Sequence, residues 1–151
     1  MIKAALFDLD GVVFETESQY SIFWGMIGRE YHPEIPDFEY RIKGQTLVQI
    51  YDKYFSENSV FAHIKGYTDV KSEQDKITTR LNEFEKNMSY PYITGFEDFI
   101  KDLKQNGVKC AVVTSSNVQK MQNVYRQHPE FKGYFDRVLT SEDFAKSKPD
   151  P

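Results

Sequence analysis

The sequence predicts an α/β protein in which a helical segment interrupts a parallel-sheet core. Two short apolar runs, at 1–7 and 108–113, are typical of buried strands. Between them, residues 15–90 carry several helix patterns and no convincing strand. After Pro91 the order of helix, glycine and buried strand indicates α/β folding. We therefore expect a sheet whose first and second strands are separated by an inserted helical segment.

The first half of the chain is predicted from apolar periodicity. The run at 1–7 predicts a buried strand that ends at the acidic residues of 8–11. A helix over about 17–30 follows Thr16, and its stripe is Tyr20, Phe23, Trp24, Ile27 and Tyr31. Thr46 is expected to cap a second helix and Ser72 a third.

The second half repeats helix and strand. An apolar stripe from Phe96 to Leu103 predicts a helix that closes at Gly107, and 108–113 predicts a buried strand. Asn117 can start another helix, and Arg137–Leu139 is expected to form a third strand. We accordingly expect one domain from 1–14 plus 91–151 and a second from 15–90.

Composition and charge exclude several classes of function. Of the 151 residues, 40% are hydrophobic and 23 are acidic against 19 basic, so the net charge is −4. A nucleic-acid partner is not expected, because no surplus of Lys and Arg is available to neutralise phosphates. No membrane partner is expected either, since the apolar runs are much shorter than the ~20 residues of a membrane span. The single cysteine, Cys110, fits a reducing, cytoplasmic location.

Asp8 and Asp10 are the strongest local signal for chemistry. Residues i and i+2 at the end of a strand project to the same side, where open α/β sheets bind ligands. Paired carboxylates suit a magnesium ion, which prefers oxygen ligands. An Asp-rich turn without any ligand is an equally reasonable interpretation of this motif alone.

Two further segments could bind an anion. Thr114, Ser115 and Ser116 follow the second strand and precede a helix, where hydroxyls and free N–H groups can hold phosphate or simply cap the helix. Lys148 follows the third strand. It could be a solvated surface lysine, or it could neutralise carboxylates and a phosphate at the same site.

The order strand-DxDG, helical insertion, strand-TSS-helix, strand-K-P resembles the haloacid dehalogenase-like phosphatase superfamily. Residues 8–17, Asp-Leu-Asp-Gly-Val-Val-Phe-Glu-Thr-Glu, are similar to its β-phosphoglucomutase-like branch. The resemblance covers essentially the whole chain. It implies a Rossmann-like parallel-sheet core with an inserted α-helical cap, and a small phosphorylated metabolite as the substrate.

The resemblance also implies residue roles. Asp8 would be the nucleophile that forms an aspartyl-phosphate, and Asp10 the general acid and base. Mg²⁺ would be held by Asp8 and by the backbone carbonyl of Asp10, while Thr114, Ser115 and Lys148 would bind the phosphoryl group. Thr16, Lys43 and Gly44 are the candidate substrate residues of the cap, together with Arg41 and Gln45.

Two departures from the family pattern keep alternatives open. Tyr20 stands where β-phosphoglucomutases carry a histidine, which favours a phosphatase over a phosphotransferase. The family's fourth motif, a pair of acids that completes the magnesium site, would lie beyond Pro151. We therefore expect a truncated, weakly active form with a sheet that is incomplete at its C-terminal side. Its first strand would be an exposed edge open to oligomerisation or swapping. A non-catalytic binding protein on a decayed phosphatase scaffold is a third alternative.

Overall fold

A computed structural model of the protein describes residues 1–146, 148 and 150. The strands are β1 (Ala4–Phe7), β2 (Lys109–Val113) and β3 (Arg137–Leu139). The helices are α1 (Glu17–Tyr31), α2 (Phe38–Arg41), α3 (Leu47–Tyr54), α4 (Asn58–Phe61), α5 (Val70–Asn87), α6 (Phe96–Gln105), α7 (Val118–Gln127) and α8 (Phe131–Tyr134). A 3₁₀ turn, Ser141–Asp143, follows β3.

The three strands form one parallel sheet in the order β1-β2-β3. Ala4 is opposite Lys109 in the first pair, and Val112 is opposite Val138 in the second. Helices α1 to α5 come between β1 and α6 in the chain. The predicted α/β fold with a parallel sheet and a helical insertion is therefore confirmed.

The first strand is an edge strand, and most of it is not buried. Within the described residues β1 pairs with β2 alone. Phe7 is its only buried residue, whereas Leu6 is 74% exposed. The prediction of a buried strand is thus wrong for most of β1, because an apolar run indicates burial only where both faces of a sheet are covered. The expected exposed edge is present.

The described chain divides into two compact units. The first consists of Met1–Glu17 and the chain from Ser89 onward, and the second of Ser18–Met88. In the first unit, the Phe7 ring meets Phe96 and Phe135 at centroid distances of 6.0 and 5.8 Å. The core of the second unit consists of Phe23, Trp24, Ile27, Tyr31, Phe38, Ile42, Ile50, Phe55, Phe61, Ile77 and Leu81.

Helix starts follow the predicted caps with one exception. Thr46 caps α3 in a capping box with Gln49, and the Asn117 side chain accepts a hydrogen bond from the Lys120 N–H at the start of α7. For α5 the cap is Asp69, whose carboxylate accepts the Ser72 N–H at 2.9 Å. The prediction that Ser72 caps this helix is wrong because Asp69, three residues earlier, has the extended backbone that a cap requires.

Candidate active site

The segment after β1 is a tight loop that fixes the two aspartates. The N–H groups of Val13 and Phe14 both donate to the Leu9 carbonyl, at 2.9 and 3.1 Å. The Gly11 N–H donates to the Phe14 carbonyl at 2.8 Å. Gly11 has a φ of 74°, in the left-handed region that glycine adopts without a steric penalty. Backbone hydrogen bonds within the loop therefore fix its conformation.

Asp8 lies at the carboxyl end of β1 and forms an ion pair. Its Oδ1 accepts hydrogen bonds from the Leu9 N–H at 2.8 Å and from Lys148 Nζ at 2.8 Å. Lys148 also donates to the Val113 carbonyl at the end of β2, at 3.1 Å. The Asp8 side chain is 48% exposed, so solvent or a ligand can reach the carboxylate. The structure thus brings the predicted nucleophile together with the predicted neutralising lysine.

Asp10 is more enclosed and has several donors. Thr16 Oγ1 donates to its Oδ1 at 2.5 Å, and Ser116 Oγ donates to its Oδ2 at 3.3 Å. Lys120 Nζ contacts both oxygens, at 2.7 and 2.6 Å. Thr16, which the resemblance suggested as a substrate residue, is fully buried. Its hydroxyl helps to fix the Asp10 carboxylate.

Lys120 was not among the residues singled out from the sequence. It lies in the first turn of α7, and the residue is only 3% exposed. The helix dipole disfavours a positive charge in the first turn, but a lysine there is ordinarily solvated, so the sequence contained only a weak signal. The sequence did not indicate that the partner of Lys120 is Asp10, because the two residues lie 110 positions apart in the chain.

Thr114, Ser115 and Ser116 form the turn between β2 and α7. Thr114 is 1% exposed, and its N–H donates to the Leu139 carbonyl of β3 at 3.0 Å. Its hydroxyl oxygen accepts the Ser116 N–H at 3.0 Å. Ser116 in turn donates to Asp10, so the turn and the acidic loop are directly bonded. Ser115, between Thr114 and Ser116 in the chain, is half-buried.

The predicted substrate residues Lys43 and Gly44 belong to the second unit. They lie in the loop between α2 and α3, where Gly44 has a φ of 77° and both residues are exposed. Gln45 Nε2 donates to the Arg41 carbonyl at 2.7 Å and so closes this loop. Their role in substrate recognition stays a prediction.

A cavity of about 840 Å³ also lies in the second unit. Its charged lining includes the pairs Arg80–Glu30 at 2.8 Å and Lys76–Glu73 at 2.6 Å. Burial and the Glu30 and Glu73 carboxylates raise the pKa of Tyr31 to about 12, which keeps its hydroxyl a donor to Glu73. Because these charges pair with one another, we assign the cavity no ligand.

The acidic loop fits a magnesium ion in part. Magnesium uses one or two carboxylates, with water and substrate phosphate as its other ligands. Asp8 offers a half-exposed carboxylate, whereas the Asp10 side chain is held by Lys120. In residues 1–146, 148 and 150, no group of three or more His, Cys, Asp or Glu side chains is placed to hold a metal. No helix in the same residues is long and apolar enough to span a membrane.

Residues 5–151 match the model of a protein family described as haloacid dehalogenase-like hydrolase. A protein of Clostridium perfringens named "Putative pyrophosphatase PpaX" is 32% identical over 155 residues, which cover 99% of this chain and 65% of that protein. A Thermotoga maritima protein named "Phosphorylated carbohydrates phosphatase" is 22% identical over 154 residues, covering 99% and 66%. The chain thus spans about two thirds of the length of these relatives.

Solved structures share the fold. A haloacid dehalogenase-like hydrolase from Bacteroides fragilis superposes with a TM-score of 0.70 at 18% identity, covering 100% of this chain and 69% of that one. A β-phosphoglucomutase-named protein from Thermotoga maritima gives a TM-score of 0.67 at 19% identity, covering 99% and 66%. At these identities the likeness establishes the fold alone.

Proposed function

Because the chain belongs to the haloacid dehalogenase-like hydrolase family, we propose that it is a magnesium-dependent phosphatase that hydrolyses a small phosphate monoester through an aspartyl-phosphate. A sugar phosphate is the first candidate substrate, since one relative is named a phosphorylated carbohydrates phosphatase. Pyrophosphate is the second, because the 32% identical relative is named a pyrophosphatase.

The observation that carries this proposal is the half-exposed Asp8 carboxylate at the end of β1, 2.8 Å from Lys148 Nζ. A nucleophilic carboxylate that attacks a phosphate dianion needs positive charge beside it. Lys148 supplies such a charge, and Thr114 and Ser115 lie on the turn that is bonded to the acidic loop through Ser116.

The chemistry divides into two half-reactions. In the first, an Asp8 oxygen forms a bond to phosphorus, the bond between phosphorus and the leaving oxygen breaks, and the leaving oxygen takes a proton from Asp10. In the second, water attacks phosphorus and transfers a proton to the Asp10 carboxylate. The bond from phosphorus to Asp8 then breaks and releases phosphate. One residue serves as acid and then as base, so it recovers its proton at the end.

Asp8 and the Asp10 backbone carbonyl are the groups that would hold Mg²⁺, which would neutralise charge on the transferring phosphoryl group. Residues 15–90 are proposed to act as a cap that limits access of water to the site. Lys43 and Gly44 lie in the loop between α2 and α3 and would recognise the substrate.

The test uses the chain encoded by the full open reading frame, assayed with magnesium on 4-nitrophenyl phosphate, on sugar phosphates and on pyrophosphate. Asp8→Asn is expected to lower turnover at least about a thousandfold, as removal of a covalent nucleophile does. Asp136→Asn is the matched control, because Asp136 is also a partly exposed aspartate paired with a lysine, Lys109, at 3.2 Å. Unchanged turnover in Asp8→Asn would refute the proposed mechanism.

A further inference from the structure

Lys120 is a buried charge whose burial has to be explained. Its side chain is 4% exposed, and taking an ammonium group out of water is costly unless an anion compensates it. Its Nζ lies 2.7 Å from Oδ1 and 2.6 Å from Oδ2 of Asp10. The residue therefore contributes a strong, charge-assisted contact to one particular carboxylate.

At its position in α7, Lys120 does not stabilise the helix. It is the third residue after the N-cap Asn117, in the first turn of α7. A positive charge there is opposed by the helix dipole, which favours anions at the N-terminus. The cap itself is already supplied by the Asn117 side chain. The helix dipole thus disfavours a lysine at this position, and the ion pair with Asp10 offsets that cost.

The consequence for Asp10 is a fixed orientation. Lys120 bridges both carboxylate oxygens, while Thr16 and Ser116 each donate to one of them. A bridging ammonium group restricts the rotation of the carboxylate. A carboxylate held in one orientation is what a general base needs in order to accept a proton from a bound water.

We propose that Lys120 is a positioning residue that holds the Asp10 carboxylate ready to accept the proton of the water that hydrolyses the aspartyl-phosphate. This inference rests on the proposed function and assigns Lys120 to its second half-reaction. Loss of the lysine should therefore slow the release of phosphate from Asp8 more than the formation of the aspartyl-phosphate.

The test compares the two half-reactions of Lys120→Met in the chain from the full open reading frame. The probe is 4-nitrophenyl phosphate, whose good leaving group needs little help from an acid. We expect kcat to fall at least about tenfold, part of the 10²–10⁴-fold that general acid–base catalysis contributes, and KM to fall with it. Rapid mixing should then show a burst of nitrophenolate, and the intact mass should show an accumulated phosphoenzyme.

Two variants complete the design. Lys120→Arg keeps the positive charge and should recover much of kcat with a smaller burst. Lys109→Met removes an exposed lysine that is paired with Asp136, and it should behave like the wild type. The ratio of burst rate to steady-state rate does not depend on how much of a sample is folded. If Lys120→Met yields no folded protein, Lys120→Gln replaces it with the same expectation.

Parallel loss of kcat and kcat/KM in Lys120→Met, with no burst and no phosphoenzyme, would overturn the inference, as would wild-type kinetics. Failure of the proposed function gives a different result. In that case Asp8→Asn retains turnover whatever the Lys120 variants do. If Asp8→Asn is inactive and the second step of Lys120→Met is unaltered, the role of Lys120 is refuted and the proposed function is not.

Discussion

Phe14 connects the acidic loop to the core of the first unit, and its removal gives a quantitative test of the fold. Its side chain is fully buried. The ring stacks on Tyr92 at a centroid distance of 4.8 Å, on His128 at 5.2 Å and on Phe131 at 5.6 Å. It also meets Tyr90 edge-on at 5.9 Å. Phe14→Ala would remove all four contacts at once.

The expected loss follows from these contacts. Deletion of a buried phenylalanine ring costs about 3–5 kcal/mol in transfer and cavity terms. Specific aromatic pairs add about 0.5–1.5 kcal/mol each beyond area burial, although the neighbours can relax partly into the cavity. Because measured deletion costs already contain part of the lost ring contacts, the two contributions overlap, and we expect a total of about 4–6 kcal/mol, which corresponds to a fall in Tm of about 10–20 °C for a chain of this size.

Thermal and urea unfolding, followed by circular dichroism, measure this loss. The fluorescence of Trp24, the only tryptophan, reports on the second unit separately. Phe99→Ala is the matched control, because it deletes the same ring at a position that is 55% exposed. We expect the control to cost about 1 kcal/mol.

A loss below about 2 kcal/mol in Phe14→Ala, or one equal to that of Phe99→Ala, would refute the reasoning, since neither fits removal of a fully buried ring. Phe14→Ala keeps the N–H and carbonyl that close the loop of 8–14, but it removes the ring that anchors this residue in the core, so a folded Phe14→Ala protein should lose activity as well as stability.

The remaining predictions concern a helix cap and a surface ion pair. Asp69→Ala should lower the free energy of unfolding by about 1 kcal/mol through loss of the α5 cap, whereas Ser72→Ala should change it little; equal losses by thermal unfolding would contradict the assignment. The Cys110 N–H, and then Lys109, hold the pKa of Asp136 below its usual value, so folded protein binds fewer protons there than unfolded protein. The resulting stability is present above the ordinary pKa of about 3.9 and is lost as the pH falls through the lowered value. Asp136→Asn should therefore show a shallower decline of Tm with acidification below about pH 4, and an unaltered slope would contradict this.

Elements with a clear period or cap were predictable from the sequence. The apolar stripe of α1, the Thr46 cap of α3 and the Asn117 cap of α7 all lie where the pattern indicated. Helices α2, α4 and α8 have four residues each, which is too short for a helical period to show. For α5, Asp69 and Ser72 are both good capping residues, and only the backbone geometry decides between them.

The candidate site was predictable where its residues follow strands. Asp8, Thr114 and Lys148 each come shortly after a strand, and parallel strands end at one edge of the sheet. Lys120 follows no strand. A lysine on an amphipathic helix is ordinarily solvated, and only the folded chain shows that this one is buried against Asp10.

The charges of the site bear on its need for a divalent cation. Asp8 and Asp10 are each paired with one lysine, Lys148 and Lys120, so these four groups sum to zero when both carboxylates are ionised. A phosphate monoester would bring up to two negative charges into a site that has no surplus of positive charge among these groups. Excess charge of one sign in a partly enclosed site is costly. A divalent cation that enters with the substrate would restore neutrality, and this balance supports the proposal of Mg²⁺ independently of the resemblance to known phosphatases.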